Sequence, residues 1–309
     1  MLGRGAWKLT MPDTIVVQST DALHGAVLAA VQQDGPKADL NHIDVSEVRV
    51  FDGLFSNIPF EGDISQWNMG NAVSVEGMFR DCPFTGDISN WNMGNVETAK
   101  GMFLRSGFNG DISRWDVRKL EVANHMFYRS AFNGDISAWD VRALTHALGM
   151  FEDSDFCGDV SAWCPTHLAH TKNMFKTPAF HGDLSGWKLP LFGHYTGLVH
   201  PTFRGLLPSM EHDNSVDVYG AMLGDAKHLQ QYAARTAFSL VHADLLLANP
   251  RACKWATPEM VQWAQEHKAM GDALGLGKDQ LRAMMVRHQT ESLDETAVVF
   301  SQGMLDASQ

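Results

Sequence analysis

Cysteine is scarce in this 309-residue chain: Cys82, Cys157, Cys164 and Cys253 are all it has. They are too few and too scattered to form a disulfide framework. No apolar run reaches roughly 18 residues, so no membrane insertion is expected. Basic residues are in deficit, 24 Lys and Arg against 36 Asp and Glu, for a net charge of −12. That balance lacks the clustered basic face of a nucleic-acid binder and is repelled by anionic membrane surfaces. The start, MLGRGAWKLTMPDTIVV, has no continuous apolar core before a small-residue cleavage site, so no secretory signal is expected. No Asn-x-Ser/Thr sequon occurs. These absences favour an intracellular protein, or one in an assembled particle, over a secreted one. Catalytic signatures are missing as well. There is no H-E-x-x-H and no G-x-S-x-G. The run GLGKD (Gly275–Asp279) lacks the upstream Gly and the Ser/Thr after Lys that a phosphate-binding loop needs. Neither an enzyme nor a cofactor is expected.

What the chain does have is a 24-residue period. A Gly-Asp pair recurs with its Asp at Asp63, Asp87, Asp111, Asp135, Asp159 and Asp183, and a Trp follows at Trp67, Trp91, Trp115, Trp139, Trp163 and Trp187. A Met-Phe pair recurs from Met78-Phe79 to Met174-Phe175. Such a period signals a solenoid, whose repeats stack because none can bury its apolar side alone. With each Asp as position zero, apolar residues recur at positions one, four, six, nine, twelve, fifteen, sixteen and twenty-one. The phase extends upstream through Asp39, Ile43, Phe51, Phe55 and Phe60, and it is expected to fade after Trp187. About seven coils result, the last incomplete.

Within a coil, Ile-Ser-x-Trp-Asn/Asp-Met/Val reads as a short strand with alternating faces. The three- and four-residue spacings through Met-Phe read as a helical turn on the opposite wall. Phe-x-Gly-Asp reads as the turn between coils, its Gly free to take positive φ. Upstream, Thr14–Gln18 reads as a strand, and Ser19 or Thr20 caps a helix over Asp21–Gln33 that Gly35-Pro36 ends. Residues 209–309 lose the period and carry helical spacings, with Thr257-Pro258-Glu259 a strong helix start. The expected organisation is therefore a capping segment over 1–38, the repeat array over 39–208 and a helical domain over 209–309.

The run FNGDISRWDVRKLEVANHMFYRSAFNGDISAWDV resembles the BspA-like leucine-rich repeat family, also described as domain of unknown function 285. The resemblance covers about residues 14–190. It implies an α+β repeat fold, a right-handed leucine-rich-repeat-like solenoid, and binding or adhesion rather than catalysis. Many relatives are bacterial surface lipoproteins; in this chain neither a signal peptide nor a lipobox Cys is expected.

Each candidate site has a structural reading beside it. The Trp column could bind carbohydrate, but its phase is that of the core. The Asp column could bind calcium, yet each coil offers one carboxylate and calcium takes six to eight oxygens; the structural alternative is that each Asp accepts backbone N–H groups at its turn. Cys157, Cys164, His167 and His170 are zinc-like residue types without a standard zinc spacing, and no metal is expected. His146 and His170 share a phase and should stack as a surface column. The candidate binding face is the outward side of the expected strand: Gln66, Asn68, Asn90, Asn92, Arg114, Asp116 and Asp140.

The leading expectation is a non-catalytic protein-binding scaffold, with the helical domain docking a second partner or a further copy. Rival expectations are a structural subunit of a large assembly (a virus particle or an organellar complex), a surface adhesin, and an enzyme within residues 209–309.

Overall fold

The computed structural model describes residues 14–190, 193–205, 207, 208, 222 and 224. The Thr257 helix start, GLGKD and the rest of the expected helical domain lie outside the described residues. Strand β1, Ile15–Val16, runs parallel to β2, Ile43–Asp44, with Ile15 opposite Ile43. Between them lies α1, Thr20–Asp34. Ser19 is extended and its Oγ accepts the Ala22 N–H, satisfying an orphan donor of the first turn. Gly35, at φ 82°, ends α1 by returning its N–H to the Val31 carbonyl. Leu23 and Val27 are fully buried in the core, so α1 covers the apolar end of the first repeat.

From Asp39 onward, residues 24 apart are neighbours. Parallel bridges join Val50, Ser74, Thr98, Val122, His146, His170 and His194 in succession. The interior is one continuous apolar cluster from Val17 to Met222. It is built as columns. Phe55, Phe79, Phe103, Phe127, Phe151 and Phe175 stack at 5.4–5.5 Å. A second column runs Phe60, Phe84, Phe108, Phe132, Phe156, Phe180 and Phe203 at 5.9–6.4 Å. Offset near-parallel rings are a favourable aromatic arrangement.

Two expectations about local structure are corrected. The stretch through Met-Phe is a run of tight turns, not a helical turn. In the third repeat, the N–H groups of Met102, Leu104 and Ser106 each close a turn on the carbonyl three residues back. The intervening N–H groups of Ala99, Gly101, Phe103 and Arg105 reach carbonyls of Val122, Asn124, Met126 and Tyr128 in the next repeat. This alternation needs a left-handed residue at positions fourteen and eighteen. Gly53, Gly77, Gly101 and Gly149 supply the former; Asp81, Arg105, Arg129 and Asp153 supply the latter at φ 53–56°. The Ile-Ser-x-Trp segment is also a turn rather than a strand, because each Trp N–H bonds the Ile, Val or Leu carbonyl three residues back, as in Trp115 to Ile112 at 3.2 Å. Its side chains therefore do not alternate as strand faces would.

The Gly of Phe-x-Gly-Asp has another reason than the expected one. Gly110 and its equivalents do not adopt positive φ. A Cβ on Gly110 would lie 2.8 Å from the ring of Phe108, which is fully buried. The glycine makes room for the second Phe column.

The pattern also persists beyond Trp187. His194, Tyr195, Gly197, Leu198 and Val199 hold the bridge, core and turn positions of a seventh repeat. Phe203 stacks on Phe180, and Val199 N–H bonds the Met222 carbonyl. This repeat keeps Asp183 and Trp187 but has Leu198-Val199 where the others have Met-Phe, and both positions stay buried.

Candidate functional site

The edge that carries the Trp is held between repeats by side chains. All six Trp rings are only 1–4% exposed. Each indole N–H crosses to the preceding repeat: Trp67 to Leu40 O, Trp91 to Ile64 O, Trp115 to Ile88 O, Trp139 to Ile112 O, Trp163 to Ile136 O and Trp187 to Val160 O, at 2.9–3.1 Å. Buried indoles with satisfied N–H groups are core, so the carbohydrate reading fails.

Every repeat Asp caps the turn that follows it. Asp63, Asp87, Asp111, Asp135, Asp159 and Asp183 accept the N–H of the Ser two residues on, at 2.8–2.9 Å. Asp39 does the same with Asn41. These backbone bonds are the main reason that Asp63, Asp87, Asp111 and Asp135 are held below the ordinary carboxylate range. A further row, one turn along, repeats the device. Asp44, Asn68, Asn92, Asp116 and Asp140 each accept the N–H two residues ahead. Asn71 and Asn95 then reach back to carbonyls of Ser46 and Gly70.

The seven candidate face residues thus separate into two groups. Asn68, Asn92, Asp116 and Asp140 are occupied as turn caps. Asp116 and Asp140 also hold Arg118 and Arg142 at 2.6 and 2.5 Å, and those guanidinium hydrogen bonds are the chief cause of their lowered pKa values. Gln66, Asn90 and Arg114 sit at the exposed tip of the Trp turn, and their side chains take no part in the caps. Ala138, Ala162 and Gly186 hold the same place in the next three repeats. That place is the freely variable position of this edge, and Arg114 is the charge standing on it.

The zinc-like residues do not converge. Asn133 Nδ2 points to the Cys157 thiol at 3.3 Å, His167 Nδ1 lies 2.8 Å from the Arg142 carbonyl, and Cys164 is exposed beside Arg142. His170 stacks instead between His146 and His194. Among the described residues no group of three His, Cys, Asp or Glu side chains can hold a metal ion. His194, 24 residues after His170, extends the column that His146 and His170 begin. No helix among the described residues is long and apolar enough to cross a membrane.

The opposite wall carries paired charges. Asp81 holds Arg105 at 2.6 Å, Arg129 meets Asp153 at 3.3 Å, and Lys176 meets Glu152 at 3.2 Å. The exposed Arg129–Asp153 pair contributes little to stability.

Continuous stacking, with an Asp cap at the start of each Trp turn, defines a repeat protein. The chain belongs to the family described as Mycoplasma protein of unknown function, DUF285, whose profile matches residues 27–131 and again 106–197. No curated protein and no solved structure matches the chain.

Proposed function

We propose that this protein is a non-catalytic protein-binding scaffold. It is a right-handed leucine-rich-repeat-like solenoid of seven coils, of the BspA-like kind, capped by α1. Residues 209–309, whose sequence carries helical spacings, are assigned to docking or assembly. The observation that carries the reading is the division of labour on the Trp edge. Its aromatic, Asp and Asn positions are consumed by stacking and capping, while the tip position changes from Gln66 and Asn90 to Arg114 and then to small residues. A varied row on a constant frame suits one protein partner better than a repetitive polymer, which would match a repetitive row. Charge at a contact sets partner choice and on-rate more than raw affinity. Arg114 is therefore the residue assigned to partner selection.

The test is affinity purification of the native protein, comparing Arg114→Glu with Arg49→Glu, an exposed cation on another edge. Loss of one co-purifying protein with Arg114→Glu alone supports the reading. Equal recovery in both variants contradicts it. Elution of the native protein only within a large particle moves the assignment to an assembly subunit.

A further inference from the structure

One column changes character along the stack. Position eleven bridges every repeat to the next, and through repeats one to four it is Val50, Ser74, Thr98 and Val122. Val and Thr are good residues for a half-buried bridge. The Ser74 hydroxyl bonds Asp52, and the Thr98 hydroxyl bonds Glu76 at 2.9 Å. Both carboxylates stand at position thirteen of the preceding repeat. From repeat five onward the column is His146, His170 and His194. Their rings stack at 4.3 Å and 16°, then at 5.3 Å and 20°.

The surroundings of the three rings differ from those of the earlier hydroxyls. Position thirteen of the preceding repeats is now Asn124, Leu148 and Lys172. On the other flank, position ten is Glu121, then Thr145 and Ala169. Glu121 gives its backbone carbonyl to the His146 N–H, and the Thr145 hydroxyl is 2.8 Å from His146 Nδ1. His125, further around the same wall in repeat four, is also held below the ordinary imidazole range, chiefly by burial and against the pull of Glu152. The carboxylate that faces Ser74 or Thr98 thus has no counterpart at position thirteen beside these rings. Near-parallel rings also hold their in-plane lone pairs side by side, so the column does not converge on a single ion.

We propose that His146, His170 and His194 form an acid-sensitive latch, which closes repeats five to seven while the rings are neutral and loosens those repeats, but not one to three, in mild acid. Charges this close repel one another, although His146 and His170 are half-buried and His194 exposed, so water screens part of the repulsion. Protonation of the middle ring places a cation against both neighbours. Burial, then His146 and His194, depress the pKa of His170 in agreement with this geometry. The open form therefore binds protons more readily than the closed form. The contribution to stability is complete above the open-state pKa of about 6.5 and is lost as pH falls from there towards the closed-state value.

The test is amide hydrogen exchange on the full chain at pH 7.5 and 5.5, corrected for intrinsic rates. The reporters are the N–H groups of Ala147 and Thr171, which bond the His170 and His194 carbonyls, against those of Val75 and Ala99, which bond Thr98 and Val122. Opening of Ala147 and Thr171 should rise severalfold, to a ceiling of about tenfold that an open-state pKa of about 6.5 sets at pH 5.5, with Val75 and Ala99 unchanged. In His170→Thr, which restores the residue type of Thr98, the difference between the halves should shrink to what His181 in repeat six contributes, a ring that burial also depresses. An equal pH response of both halves in the native chain, or an undiminished difference in His170→Thr, overturns the latch. Should His170→Thr not fold, titration of the native imidazoles by NMR decides. His170 titrating below the ordinary range supports the latch, and ordinary values at all three rings overturn it.

Discussion

The two long walls of the stack are fastened by different means. On the Met-Phe wall, alternate backbone N–H groups run directly to the next repeat, as from Ala99, Gly101 and Phe103. On the Trp edge the links are side chains: an indole to a carbonyl and an Asn amide to a carbonyl, beside Asp and Asn caps that fix each turn. Backbone bonding makes no demand on the outward side chains. Positions thirteen and seventeen accordingly range over Asp52, Glu76, Lys100, Leu104 and Tyr128. Side-chain bonding demands particular residues, and the letters that made the repeat visible are those residues. Freedom on the Trp edge is therefore narrow, and the place where it survives, at Gln66, Asn90 and Arg114, is the informative place to look for recognition.

The largest test of that contrast is Trp115→Ala. It removes a buried ring and its inter-repeat bond, and it should cost about 3–5 kcal/mol in denaturant unfolding. An unchanged midpoint and an unchanged fluorescence maximum of the other Trp residues would remove the indole column from the core. Gly110→Ala comes next. Its Cβ meets the buried Phe108 ring, so about 1–3 kcal/mol should be lost. A neutral outcome would mean that the Phe column can shift. Acid sharpens the comparison without mutation. The caps at Asp63 and Asp87 are stronger acceptors when ionised, so their contribution is complete above the unfolded pKa of about 3.9 and disappears as pH falls through the lower folded values. Exchange from the Ser65 and Ser89 amides should then quicken before that from Gly77 and Gly101, whose bonds involve no carboxylate. The smallest effect belongs to Arg114→Glu, which should change stability by no more than about 0.5 kcal/mol. A larger loss would make Arg114 part of the frame.

Period and phase in the sequence were enough to locate the columns. Burial of Trp67 through Trp187, the Asp caps and the stacking of His146 on His170 all follow from residues 24 apart sharing one environment. The backbone path between columns was less legible. Spacings of three and four residues suit a helix, and they equally suit consecutive tight turns with Gly101 and Arg105 left-handed. A positively charged residue at φ 53° is not something its side chain announces. The Gly before each Asp looked like a turn residue, whereas its reason is the ring of the Phe two residues earlier. Asn68 and Asp116 looked like open binding residues because an amide or carboxylate that caps a turn is spelled the same as one that meets a partner.

The central claim is that the stack is held by neighbour-to-neighbour columns and needs no support from residues 209–309. It is tested most directly by hydrogen exchange on the fragment 14–208. The account predicts protection at Ala99, Ala123 and Phe127 equal to that in the full chain, with loss confined to the last repeat, where Val199 gives up its bond to Met222. A fragment whose ladder amides exchange freely from Ala99 to Phe151 would contradict it.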